Sequence, residues 1–353
     1  MMQRYACVRG CLLGVALAVL VACGGEEPPR SGLPLVPIGA EPSRVAAGPA
    51  PTVAARDVGL PGRLLFVRSG DLWVWQGDTG RQITSGGDLT QPAWSPDGGR
   101  IAAVRRAESY SDIVLLGPDG NETAQITRSG TRFPPHSYER IYNTTWSLYP
   151  VFAPDGGEIA FAAQPAPPFG SPASDYFTAL YTAQPLAGSG KSQRYAPAEG
   201  NVGRAAYAPD GGAIVFAYTP ASTEPPHLLR FDRRTGTVAP PQGVPDQSYD
   251  PAFSPDGRWL AFAARDAGRT DLFVVPVGGG SPLRLTSLGT ARAPAFAPDG
   301  TRLAFLAVAP GENRFDLWVL DLTPEADGLR AGTPRRLTEG AALDADAGLS
   351  WGP

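Results

Sequence analysis

Five times along this chain an aromatic residue, a small residue and a proline are followed by Asp-Gly. The copies are Trp94–Gly98, Phe152–Gly156, Tyr207–Gly211, Phe253–Gly257 and Phe296–Gly300. Their prolines lie 58, 55, 46 and 43 residues apart, a period that belongs to solenoids and propellers. Proline fixes φ and glycine takes positive φ, so each step is a tight turn. A chain made of one repeated unit cannot bury its apolar faces unit by unit. It must stack neighbours.

The residues just after each turn set the fold class. Short apolar runs appear at Ile101–Val104, Ile159–Ala162, Ile214–Ala217, Leu260–Ala263 and Leu303–Leu306, and an earlier copy stands at Leu64–Val67. Leu or Ile and usually Phe point to one face; Ala, Val or Leu point to the other. A half-exposed strand would alternate with polar residues, so these strands are predicted to lie between two layers. A third run begins at Asp71, Asp112, Asp271 and Asp316, with weaker copies at Leu180 and Leu228. A fourth ends in Thr84, Thr127, Thr286 and Thr338, and is degenerate in the third and fourth units. Four short strands per unit, buried on both faces, predict an all-β six-bladed propeller over residues 63–353. The 43 glycines and 38 prolines among 353 residues interrupt nearly every stretch and exclude long amphipathic helices. An apolar share of 42% is enough for a large core.

The first unit lacks its first strand, and the sequence ends on Trp351-Gly352-Pro353, which matches the aromatic-small-Pro step. The last strand is therefore expected to complete blade one, since an open sheet edge invites aggregation. The repeated step resembles that of TolB-type six-bladed propellers, over residues 63 to 353.

Residues 1–22 read as an export address. Arg4 and Arg9 precede an apolar run from Leu12 to Ala22, too short to span a bilayer. The run ends in Leu20-Val21-Ala22-Cys23, which is similar to the bacterial lipobox. The resemblance implies cleavage before Cys23 and acylation of its thiol. With Gly24 rather than Asp next, it implies the outer membrane or cell surface. Cleavage would remove Cys7 and Cys11 and lower the basic count from 30 to 28 against 34 acids, a net of −6. Cysteine catalysis, zinc clusters and disulfide frameworks then drop out, and a basic nucleic-acid surface is excluded. Residues 23–62, rich in Pro and Gly, read as a disordered tether.

In a four-stranded meander the one-two and three-four turns share one face, and the two-three loops and inter-blade links share the other. The tight steps are one-two turns. The long segments Arg128–Leu148, Gln164–Thr178 and Thr219–Pro226 fall mainly opposite, and long loops are where function tends to sit. The partner-binding candidates are Arg132, Tyr138, Arg140, Tyr142 and Trp146 on the first segment, Tyr149 just after it, and Phe169 and Tyr176 on the second. Aromatics mixed with arginine suit recognition. Gln91, Tyr149, Arg204, Asp250, Arg292 and Gly348 read as matching positions where the inner strands begin. Arg204, Asp250 and Arg292 could hold a ligand carboxylate or a partner's terminus, or pair with one another around a watery channel.

Gly188–Ser192 mimics the end of a phosphate loop, but Pro185 stands where the pattern needs glycine. The turn aspartates and the four strand-start aspartates read as structural. No catalytic residue, metal site or cofactor is assigned. The leading expectation is a monomeric, lipid-anchored envelope module that binds a protein, peptide or glycan. The rival is an enzyme acting on an envelope glycan or lactone-like substrate. It would need a bound calcium or clustered carboxylates from Glu139, Asp175, Asp250, Asp344 and Asp346.

Overall fold

The computed structural model describes residues 52–53, 58–170, 177–197, 199–220, 224–325 and 328–353. The signal segment, Cys23 and most of the proposed tether lie outside the described residues. The described residues form six antiparallel blades with four strands in meander order, the sixth carrying a fifth strand, and one separate two-stranded pairing. Blade two, for example, runs Leu89–Trp94, Ile101–Arg106, Ser111–Leu116 and Glu122–Gln125. The inner strands of blades three to six are Ser147–Phe152, Asn201–Tyr207, Ser248–Phe253 and Arg292–Phe296. Blade one takes its inner strand, Ser350–Gly352, from the far end of the sequence and sets it beside Leu60–Arg68.

The turns form as the residue types require. In every Pro-Asp-Gly step the glycine has φ between 64° and 71°. Its N–H donates to the small residue three positions back at 2.8–2.9 Å, as Gly98 does to Ser95 and Gly211 to Ala208. The aspartate Oδ1 accepts the N–H two residues on, at 2.8–3.1 Å in all five copies.

Closure is visible in the packing. Six buried apolar clusters fill the six interfaces between neighbouring blades, including blade six against blade one. Phe66, Phe161, Phe216, Phe262 and Phe305, all fully buried, point into the preceding blade. Ala160 and Ala162, Ala261 and Ala263, and Ala304 face the next one. Large against small lets the sheets nest at interior density. Four of these rings stack on an aromatic directly across the second-third hairpin, Phe66 on Trp73, Phe161 on Tyr181, Phe262 on Phe273 and Phe305 on Trp318, at 6.1–6.4 Å.

The clasp is bonded as well as packed. Ser350 Oγ accepts the Trp94 N–H at 2.9 Å, and Trp351 Nε1 donates to the Pro61 carbonyl at 2.6 Å. Arg63 donates to the carbonyls of Pro353 and Gly98 at 2.8 Å and lies 4.3 Å from the Trp94 ring centroid.

Two details depart from the expected layout. The first strand begins at Leu60, and Thr52–Val53 pairs with Thr338–Glu339 on blade six, so short-range order starts inside the segment read as a tether. The third strand of blade six runs eleven residues, Phe315–Glu325, and returns as Gly328–Ala331. That hairpin is an extension on the tight-turn face. Leu322 and Leu329 bury it against the group containing Trp259.

Candidate functional site

The inner strands of all six blades line a central channel cavity of about 280 Å³. They enter it through a shared irregularity. Gln91, Tyr149, Asp250, Ala293 and Gly348, each three residues before the strand aromatic, have φ between 51° and 73°. The pairing register shifts at this point in the inner strands of blades two to six. Such bulges bend an edge and re-aim a side chain, and they gather at functional rims. A proline follows at 92, 150, 251 and 294, and a proline on an inner edge cannot donate to an unwanted partner strand. This geometry corrects one expectation. The position matching Gln91, Tyr149 and Asp250 is Ala293, and Arg292 stands one residue earlier, in line with Tyr249. The proline after each bulge was the signal that fixes this alignment.

The bulge side chains bind the ring across its seams. Gln91 Oε1 accepts the Tyr149 N–H at 2.7 Å, and Asp250 Oδ2 accepts the Ala293 N–H at 3.1 Å. Asp250, 4% exposed, receives Arg204 Nε on Oδ1 and Arg292 Nε on Oδ2, both at 3.1 Å. Burial alone would raise this carboxyl. The two guanidiniums and the backbone N–H outweigh it and hold the carboxyl below its ordinary value.

Arg204 also reaches the opposite side of the mouth. It donates to the carbonyls of Asp346 at 2.8 Å and Ala347 at 3.3 Å, in the link entering blade one. A Cβ on Gly348 would meet Arg204 Nη1 at 1.7 Å, so only glycine lets the arginine cross here. Arg292 Nη1 donates to Asp346 Oδ1 at 2.6 Å. Each arginine lies 5.4 Å from a tyrosine ring, Arg204 over Tyr149 and Arg292 over Tyr249. These groups line a second cavity of about 240 Å³ at the mouth.

The remaining candidates divide into two sets. Tyr138 and Tyr142, on and just after the single helical turn Tyr138–Ile141, pair their rings at 4.9 Å and their hydroxyls at 2.7 Å. The Tyr142 hydroxyl donates to the Gly170 carbonyl at 2.8 Å, which ties the first long segment to the second one residue from Phe169. Tyr138, Ile141 and Phe169 are 62%, 44% and 65% exposed. All three stand on the long segments as exposed apolar side chains, with Arg132 also exposed. Arg140 serves a different purpose: it donates to Ser109 Oγ and the Phe133 carbonyl and lies over the Tyr110 ring, fastening the loop to blade two. Trp146 lines a cavity of about 400 Å³ between blades three and four with Leu148, Thr178 and Val202, which the sequence alone did not reveal. Tyr176 lies outside the described residues.

The carboxylates of the enzyme reading do not converge on one open site. Asp250 is enclosed by arginines, Asp346 pairs with Arg292, and Asp344 accepts the N–H groups of Asp346 and Ala347. Glu139 sits exposed on the helical turn, and Asp175 lies outside the described residues. Among the described residues there is no cluster of three or more His, Cys, Asp or Glu able to hold a metal ion.

The ring has the fold of TolB-type propellers. It is similar to TolB from Acinetobacter baumannii, with a TM-score of 0.60 and 21% identity over 84% of this chain and 67% of that one. A protein assigned as TolB from Agrobacterium tumefaciens gives a TM-score of 0.51 and 17% identity over 79% and 91% of the two chains. A chain of the nidogen/laminin complex gives 0.53 and 12% over 82% and 97%. No family model matches the sequence, and no curated protein does.

Proposed function

We propose that this chain is an exported, lipid-anchored binding module that captures an envelope protein, peptide or glycan with the long-loop face of its propeller. One observation carries the reading: the two faces of the ring differ. All five Pro-Asp-Gly turns are closed by their own hydrogen bonds on one face. The other gathers the exposed Tyr138, Ile141 and Phe169, the cavity between blades three and four, and the charged channel mouth. Aromatics with arginine beside a concave site are the composition of recognition surfaces. The ring shares its fold with TolB proteins, and among the described residues Asp250, Asp344 and Asp346 are each engaged by neighbouring groups. Acylation of Cys23 would hold the ring at the membrane.

The test is crosslinked capture from native envelopes with the full chain as bait. Tyr138→Ala with Phe169→Ala removes only exposed rings, so melting should not change while the captured partner falls to about a tenth, as for loss of one hot spot. Cys23→Ser, run beside it, should move the chain from the membrane to the soluble fraction. Undiminished capture by the ring-deleted variant would contradict the assigned face, and Cys23→Ser remaining in the membrane would remove the anchor.

A further inference from the structure

We infer that the channel mouth is a carboxylate-binding site whose occupant's place is held, in this structure, by Asp346. The inference rests on the binding-module reading and names the chemistry that one part of that face would take. Two guanidiniums, Arg204 and Arg292, flank the single buried carboxylate of Asp250. That leaves one surplus positive charge at the rim of a cavity of about 240 Å³. Asp346 is what meets it, through a single bond of 2.6 Å from Arg292 Nη1.

The two acids are held very differently. The Asp250 side chain is 6% exposed and the Asp346 side chain 80% exposed. Asp250 is fixed by Arg204, Arg292 and the Ala293 N–H. Asp346 contributes one exposed ion pair, of a kind worth little in water. Arg292 uses Nε and Nη1 in these bonds, and its Nη2 has no partner among the described residues. An incoming carboxylate that displaces Asp346 could take Nη1 and Nη2 together, the bidentate geometry in which arginine binds carboxylates most strongly. The rings of Tyr149 and Tyr249 flank the opening and would cover the body of the ligand. Arg204 stays in place throughout, because its bonds to Asp250 and to the carbonyls of Asp346 and Ala347 do not involve the displaced side chain.

A carboxylate could come from the end of a peptide or from a sugar acid, and the experiment separates the two. The full chain is titrated calorimetrically with N-acetyl-Gly-Gly-Ala and with its C-terminal amide, and with glucuronate and glucose. The expected result is binding of at least one acid and not of its neutral counterpart; the pair that discriminates identifies the source. Asp346→Asn should tighten that binding about threefold, the size of one exposed ion pair removed from competition. A structural role for Asp346 would give no such gain. Arg292→Gln should weaken it at least tenfold, read at a temperature where circular dichroism shows the variant folded. If Arg292→Gln unsettles the fold, Asp346→Asn still decides, since that side chain is exposed. No binding of either acid, equal binding of acid and neutral partner, or an unchanged or weaker affinity in Asp346→Asn would each overturn the site. Partner capture depends on the loop aromatics and this titration on the channel groups, so either can fail while the other stands.

Discussion

Asp71, Asp112, Asp271 and Asp316 are four copies of one residue-scale device. Asp271 is 1% exposed. Its Oδ1 accepts the Thr286 hydroxyl at 2.8 Å and the Gly289 N–H at 3.0 Å, and its Oδ2 accepts Arg284 Nη2 at 2.6 Å. Thr286 Oγ1 in turn accepts the Leu272 N–H at 3.0 Å. The same circuit joins Asp112 to Thr127 and Gln125, and Asp316 to Thr338 and Arg336. It ties the third strand to the fourth and to the link that leaves the blade. Both ends were legible in the sequence, the aspartate at a strand start and the threonine at a strand end, and a structural hydrogen bond was the right reading of the acid. That the two are each other's partners was not legible, because they are fifteen residues apart in the case of Asp271 and Thr286 and only the hairpin brings them together. Asp271→Ala would leave the buried Thr286 hydroxyl and the Gly289 N–H without their acceptor, while Arg284 keeps the Thr286 carbonyl and Asp266, and should lower unfolding stability by about 2 kcal/mol. Thr286→Val should cost about 1 kcal/mol. Urea unfolding measures both, and a change below about 0.5 kcal/mol for Asp271→Ala, the scale of an ordinary surface substitution, would show that the circuit contributes nothing beyond packing.

At the scale of the strand and blade, the same circuit shows where the ring was free to change. The pairing register sets Ala179 and His227 where blades one, two, five and six have their aspartates. Blades three and four therefore lack the tie, and these are the blades with long segments after their second strands and the 400 Å³ cavity between them. The degenerate third and fourth repeats were visible in the sequence, but the cavity was not, because it depends on side chains from two blades meeting. The extended hairpin of blade six was not legible for a related reason: Leu322 and Leu329 lie outside the repeated unit, and only the packing of Trp259 from the neighbouring blade against them gives them a place in the core. The clasp, by contrast, was legible, since the missing first strand and the terminal aromatic-small-Pro step are complementary. Its element-scale test is removal of residues 350–353. This leaves Leu60–Arg68 with an unpaired edge and should convert cooperative melting at one temperature into early unfolding with aggregation, read by calorimetry and size-exclusion chromatography. A truncated chain that melts like the full one would mean the ring does not depend on the clasp. Gly352→Ala is the gentler version, since a Cβ there would lie 2.6 Å from Trp94 Cγ and should lower the melting temperature without breaking the pairing.

For the whole molecule, the six-bladed ring carries five repeated tight turns on one face, with the blade-six hairpin beside them, and its long segments mainly on the other. The ring was legible because it repeats: five turns and six buried strands are hard to fit any other way. The candidate site was legible only in part. The long segments and the mouth residues could be named from the sequence. Their division into exposed aromatics, an arginine that merely fastens its loop, and a self-paired charged mouth needed three-dimensional contacts. The central claim is that partners meet the long-loop face. It is tested most directly by placing a photocrosslinking amino acid at single exposed positions on the two faces, Tyr138 or Phe169 on one and Asp210 or Asp299 in the tight turns on the other, and irradiating living cells. The account predicts a discrete crosslinked species from Tyr138 and Phe169 and none from Asp210 and Asp299. The same species arising from the turn positions, with the loop positions silent, would contradict it.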